Sequence, residues 1–137
     1  MLDPTNVPAV ESVELLARYV YASKHFSRQN RRVKAAAFLP PGNGRESVTR
    51  HREATEAEVW QVGQAAAESR ERTLYGRGDV LAATCESQRL AVEADPIEDN
   101  PNHANVVGWP MDDKAKCKLI AEEIAVAARF VPVPELE

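Results

Sequence analysis

Between residues 55 and 130 the spacing of apolar residues changes from helical to alternating and back to helical, and this order restricts the fold more than any other feature. Thr55-x-x-Glu58 is a capping box, in which the threonine hydroxyl and the glutamate carboxylate satisfy the first free N–H groups of a helix. It opens the segment 56–72, where Val59, Val62 and Ala66 share one face and Trp60 flanks it. Gly63 lies inside this helix at a cost of about 1 kcal/mol against alanine, which implies close approach of another backbone. TLYGRG, residues 73–78, ends the helix. DVLAATCES (79–87), LAVEAD (90–95) and HANVVGW (103–109) then read as strands, and the short break at 87–89 makes the first two a hairpin. Leu90, Val92 and Ala94 point one way and Ala91 and Glu93 the other, the pattern of a strand with one wet face. Pro110 ends the third strand, and Asp112 or Asp113 caps a second helix, 113–130, with Cys117, Ile120, Ile124 and Ala127 or Ala128 at helical spacing.

The first half of the chain is less regular. Ser12 is a candidate cap for a helix over 12–22, with Val13, Leu16 and Val20 on one face, although ARYVYA also suits a strand. SKHFSRQNRR (23–32) reads as a loop. RVKAAAFLP (32–40) reads as a strand, with Val33, Ala35 and Ala37 on one face, and PPGNG (40–44) as a turn before a short strand over 46–52. The expected order is α-β-β-α-β-β-β-α: one α+β domain of about five mostly antiparallel strands with two or three helices. Its expected limits are 11–131, between a loose arm over 1–10 and a short tail over 132–137.

The chain has 137 residues, 44% hydrophobic and 28% charged, which is the balance of a folded domain rather than a disordered one. Such a length buries about two-thirds of the unfolded surface, so folding needs neither metal nor disulfide. The start MLDPTNVPAV lacks the basic and apolar stretches of a signal peptide, and no apolar run approaches a membrane span. These features lead to the expectation of a cytoplasmic protein without membrane contact. Arg outnumbers Lys 12 to 5, which correlates with a GC-rich bacterial genome.

The net charge of −4 hides a split. Residues 1–52 carry nine basic and four acidic side chains, and the remainder carries eight and seventeen. From Arg18 to Lys34 there are six basic residues and no acidic one, interleaved with Tyr19, Tyr21 and Phe26. Cations meet phosphates and aromatic rings stack on bases, so Arg28, Arg31, Arg32 and Lys34 are candidate contacts for an acidic protein or a nucleic acid. Arg45, beside the glycine turn, is a further candidate anion contact.

His25, His51 and His103 are the side chains best suited to proton transfer near neutral pH. His103 stands at a strand mouth after the loop PIEDNPN, His25 is flanked by Lys24 and Arg28, and His51 lies between Arg50 and Arg52. Cys85, as a nucleophile with His103 as base, is a weaker candidate, and Cys117 reads as packing. No ligand spacing marks a metal site, and no motif implies a cofactor. A site built from His25, Cys85, Glu86 and His103 would have to join distant parts of the chain. Two functions follow as expectations. One is a binding or accessory protein that contacts an acidic partner through residues 18–52. The other is a metal-independent phosphodiester hydrolase with His25 and His103 as the acid–base pair and Lys24 and Arg50 offsetting charge.

Overall fold

The computed structural model describes residues 1–134. In chain order the elements are β1 (Leu15–Val20), β2 (Phe26–Ser27), β3 (Arg32–Val33), β4 (Glu46–Arg50), α1 (Glu56–Ser69), β5 (Gly76–Leu81), α2 (Ala82–Ser87), β6 (Ala91–Ala94), β7 (His103–Val107), α3 (Lys114–Ala127) and β8 (Arg129–Pro132). Six strands form one antiparallel sheet in the order β6-β7-β4-β1-β5-β8, and β2 and β3 form a separate ribbon. Short 3₁₀ turns occupy Ser23–His25 and Ala35–Phe38. The α+β class and the antiparallel sheet agree with the sequence reading.

One face of the sheet is closed. Leu16, Val20, Val48, Val80 and Val106 project from the strands into a single core with Phe38, Phe130 and Ile120 and Ile124 of α3. Each such side chain contributes about 1.5–3 kcal/mol when fully buried. Two glycines make room for rings on this face. A Cβ on Gly76 would stand 2.8 Å from the Phe130 ring, and one on Gly78 would stand 2.9 Å from Phe38.

The opposite face carries α1. Its capping box forms as expected: the Glu58 amide donates to Thr55 Oγ1 (3.1 Å) and the Thr55 amide to Glu58 Oε1 (2.9 Å). What approaches Gly63 is the Tyr19 ring rather than a backbone: a Cβ there would be 2.6 Å from Tyr19 Cε1. The Tyr19 hydroxyl donates to the Val59 carbonyl. The helix ends in a Schellman turn, with Glu71 in the left-handed region (φ 53°) and the Arg72 amide donating to Ala67 O (2.9 Å).

Several local expectations change. Residues 15–20 are the strand β1 rather than a helix, paired with β4 on one side and β5 on the other. Between β3 and β4 the alanine stretch is a 3₁₀ turn. Strand β5 begins at Gly76, inside the expected helix stop, and 82–87 is the helix α2, so β6 pairs with β7 and not with the segment before it. The second helix is capped by Asp113 and gives way to β8 at Arg129. Residues 1–10 are not loose. Leu2 is buried, and its amide donates to Asn102 Oδ1 at 2.9 Å. In the expected tail 132–137, Pro132 belongs to β8 and Val133 is buried, and 135–137 lie outside the described residues.

Candidate functional site

The half-open face holds the site. Helix α1 is anchored over β1 and β5: Arg77 of β5 pairs with Glu56 (2.6 Å) and lies under the Trp60 ring (4.5 Å). Between α1 and the turn 97–100 a cleft of about 340 Å³ remains, bordered by Tyr19, Tyr21, Thr49, Arg70, Asn100 and His103. Strand alternation explains its floor: Thr49 of β4 stands opposite His103 of β7 in register.

His103 is held by its neighbours. Its Nδ1 lies 2.8 Å from the Asp95 carbonyl oxygen. A carbonyl only accepts, so Nδ1 carries the hydrogen. Asp95 Oδ2 is 3.3 Å from the same nitrogen and also accepts from Asn105 Nδ2 (2.9 Å). Asn100 Nδ2 donates to Thr49 Oγ1 at 3.0 Å. Asn102, fully buried, donates to the carbonyls of Arg50 (2.7 Å) and Arg52 (2.8 Å) and fixes the loop to the end of β4. The two polar side chains at this strand mouth thus divide the work: Asn102 fastens the loop, and His103 borders the cleft.

A second cleft of about 260 Å³ adjoins the first and shares Arg18, Tyr19, Tyr21 and Arg70 with it. His25 and Arg72 complete its charged lining, and no described acid borders it. The first cleft has one acid, Asp99. Arg18 is set in place by its Nε donating to Ala37 O and its Nη1 to Ser47 O, both at 2.8 Å. The Arg70 guanidinium lies 5.3 Å from the centre of the Tyr21 ring, a cation–π contact. Partial burial lowers the pKa of His25, and the charges of Lys24 and Arg18 lower it further, so its neutral form is favoured.

The other candidates lie elsewhere. Lys24 is exposed on the same 3₁₀ turn as His25. Arg50 is fully buried on the closed face, with Nε and Nη2 each 2.7 Å from Glu14 carboxylate oxygens and Nη1 on Pro8 O (2.8 Å). Its charge is already matched there, and it borders neither cleft. Arg28, Arg31, Arg32 and Lys34 follow the β2–β3 ribbon, where Arg32 and Lys34 border a depression against Glu122 of α3. Arg45 is exposed in the turn before β4. His51 Nε2 faces Asp79 Oδ1 (2.9 Å), which also accepts from Arg77 Nε (3.0 Å), and this chain of contacts secures the start of α1 through Arg77 and Glu56. Both partners hold the Asp79 carboxyl below its usual range despite burial.

Cys85 lies in α2 rather than in a strand, and burial pushes its thiol up to about 12, where it is no nucleophile at neutral pH. The Cys117 thiol donates to Pro110 O (3.3 Å) and is also raised by burial. Among the described residues no three His, Cys, Asp or Glu side chains gather as metal ligands. Thr49, Asn100, Arg70, Arg72 and Asp95 join the site without any local pattern to mark them, because they arrive from three separate parts of the chain: β4, the end of α1 and the connection between β6 and β7.

Fold and site together define an antiparallel α+β domain with a basic, tyrosine-lined groove. The chain matches no protein-family model, no curated protein and no solved structure.

Proposed function

We propose that this chain is a binding protein for single-stranded nucleic acid, which lies in the groove made by the two adjoining clefts. The observation that supports this is their common wall: two arginines and two tyrosines, Arg18, Arg70, Tyr19 and Tyr21, border both. Guanidinium groups pair with phosphate oxygens, and an unpaired base stacks on an aromatic ring, here Tyr21, since the Tyr19 ring is packed beneath α1 at Gly63. The Tyr21 ring distinguishes such a strand from an acidic peptide, which needs only the cations. The basic surface used is Arg18, Lys24 and His25 together with Arg70 and Arg72 at the end of α1, rather than the whole of 18–52. The ribbon cations Arg32 and Lys34 face a different depression.

Fluorescence anisotropy with a labelled single strand of about ten nucleotides tests the reading. Affinity should fall with salt, with a log–log slope of about −0.7 for each phosphate engaged. The variant R70E/R72E should weaken binding and flatten that slope, by about 0.7 for each phosphate no longer paired. R32E/K34E should leave both unchanged. Loss of binding in R32E/K34E with retention in R70E/R72E would move the contact to the ribbon. Equal affinity for poly-glutamate, insensitive to Tyr21→Ala, would make the partner an acidic protein.

A further inference from the structure

We propose that copies of this chain associate with one another, the turn 97–100 of one copy seating in the depression between the β2–β3 ribbon and α3 of another. The contact needs no strand in the groove and is independent of the binding reading above.

The depression has a volume of about 430 Å³. Val33 and Ala35 line it from the ribbon side and Ala125 and Val126 from α3, and Val126 is 76% exposed. Arg32 and Lys34 stand on the ribbon rim, both exposed, and Glu122 is the one acid among the described residues that line it. A single exposed valine is ordinary on a protein surface. Here it lies in a concave apolar surface with cations along one rim, which fits an aliphatic side chain flanked by acids.

The chain itself carries such a group. Between β6 and β7 the Ile97 amide donates to Asn100 O (3.1 Å) and the Asn100 amide to Ile97 O (3.0 Å), so Glu98 and Asp99 form the tip of a two-residue turn. Ile97 is 49% exposed at its base, and both acids are exposed. The turn is held from below by Asn100 on Thr49 and by Asn102 on the end of β4. A tip already fixed in shape loses little freedom on docking. The other exposed apolar side chain beside two acids, Met111, is committed differently: it lies over Gly44, and Asp113 caps α3.

The occupant is a second copy because the two surfaces lie at opposite edges of the sheet. The tip extends from β6 and β7 at one edge, and the ribbon adjoins β8 at the other, where Phe26 stacks on Phe130 (5.0 Å). A chain therefore cannot seat its own tip. In the contact between copies Ile97 meets Ala125 and Val126, and Glu98 and Asp99 turn to Arg32 and Lys34, away from Glu122. The basic first third and the acidic remainder of the chain thus complement each other between copies. So small a contact is weak and sensitive to salt.

Sedimentation velocity of the full chain, free of nucleic acid, tests the proposal from about 10 μM to about 1 mM protein. The weight-average sedimentation coefficient should rise with concentration at about 0.05 M salt and stay at the monomer value at about 0.5 M. Ile97→Ser, E98K/D99K and R32E/K34E change exposed side chains, so each should keep the parent circular dichroism and remain monomeric. Glu122→Lys, which makes the second rim basic, should associate at several-fold lower concentration. An equimolar mixture of E98K/D99K and R32E/K34E should associate again, because each tip then meets a rim of opposite charge. A parent chain that stays monomeric at the highest concentration and low salt overturns the proposal. Association that survives the three disrupting variants, or a mixture that stays monomeric, shows that this tip and this rim do not meet and overturns it as well.

Discussion

Replacing Glu46 by Gln should remove a specific pH dependence of stability. Glu46 lies on the closed face of β4 and is 1% exposed. Its Oε2 has no hydrogen-bond partner among the described residues, and its nearest cation is Arg18, with Nε 3.8 Å from Oε1. Burial therefore outweighs the attraction of Arg18 and raises the carboxyl pKa to about 7, from 4.5. A pKa raised in the folded state means that the folded chain holds the proton more tightly. The stability this supplies is fully present below about pH 4.5 and is lost as pH rises through about 7. Each tenfold difference in proton affinity between the folded and unfolded chains is worth about 1.4 kcal/mol, so the loss across that window is about 3 kcal/mol. Other groups oppose it. His25 is lowered, and so contributes stability above the usual histidine range that falls away in acid. The lowered Glu14 and Asp79 do the same below the usual carboxylate range. These groups are common to both proteins, so the difference between wild type and Glu46→Gln isolates Glu46. Urea unfolding from pH 4 to 8 should show the variant gaining on wild type by about 3 kcal/mol as pH rises. A difference constant across that range would show that Glu46 ionises as an exposed carboxyl does, and would refute the reasoning.

Three further substitutions probe the frame of the site. Asn102→Ala leaves the Leu2 amide and the carbonyls of Arg50 and Arg52 without their partner, so urea unfolding should show a loss of about 2–4 kcal/mol; no loss would mean that water replaces the amide. Gly63→Ala gains about 1 kcal/mol of helix propensity but drives a Cβ into the Tyr19 ring, so the net effect on thermal unfolding should be destabilising by about 1–2 kcal/mol. A rise in Tm would show that the ring yields freely. Glu14→Gln leaves the Arg50 guanidinium buried without its counter-charge and should cost about 3 kcal/mol or more, most of which the double variant Glu14→Leu/Arg50→Met should recover.

The parts of the fold visible in the sequence are those stabilised by local contacts. Thr55 and Glu58 cap α1 within one turn, and the spacing of Cys117, Ile120 and Ile124 marks α3. The parts that differ from the sequence reading owe their conformation to distant neighbours. In β1 both Leu16 and Ala17 are fully buried, so the strand shows no alternation, and Val13, Leu16 and Val20 imitate a helical face. In β5 the run Gly-Arg-Gly-Asp resembles a loop, yet the glycines are there because Phe130 and Phe38 occupy the space of their side chains. The site divides in the same way. His103 is visible at its strand mouth, and His25 amid its cations. Their association with Tyr19, Thr49 and Arg70 depends on the register of β1, β4 and β7 and on the placement of α1, which no single segment encodes.

The placement of α1 is also what leaves a cleft open. Gly63 admits the Tyr19 ring beneath the helix, and the Tyr19 hydroxyl ties to Val59. Arg77 holds Glu56 and Trp60, and is itself held through Asp79 to His51. These contacts fix α1 above β1 and β5, and the cleft lies beside it, floored by polar side chains of β4 and β7. Such side chains are tolerated on a sheet face where protein groups or solvent complete their hydrogen bonds, as Asn100 does for Thr49 and Asp95 for His103. The histidines therefore stand at different places in one construction. His51 helps to seat the helix, that seating leaves the two clefts open, and His103 borders the first and His25 the second.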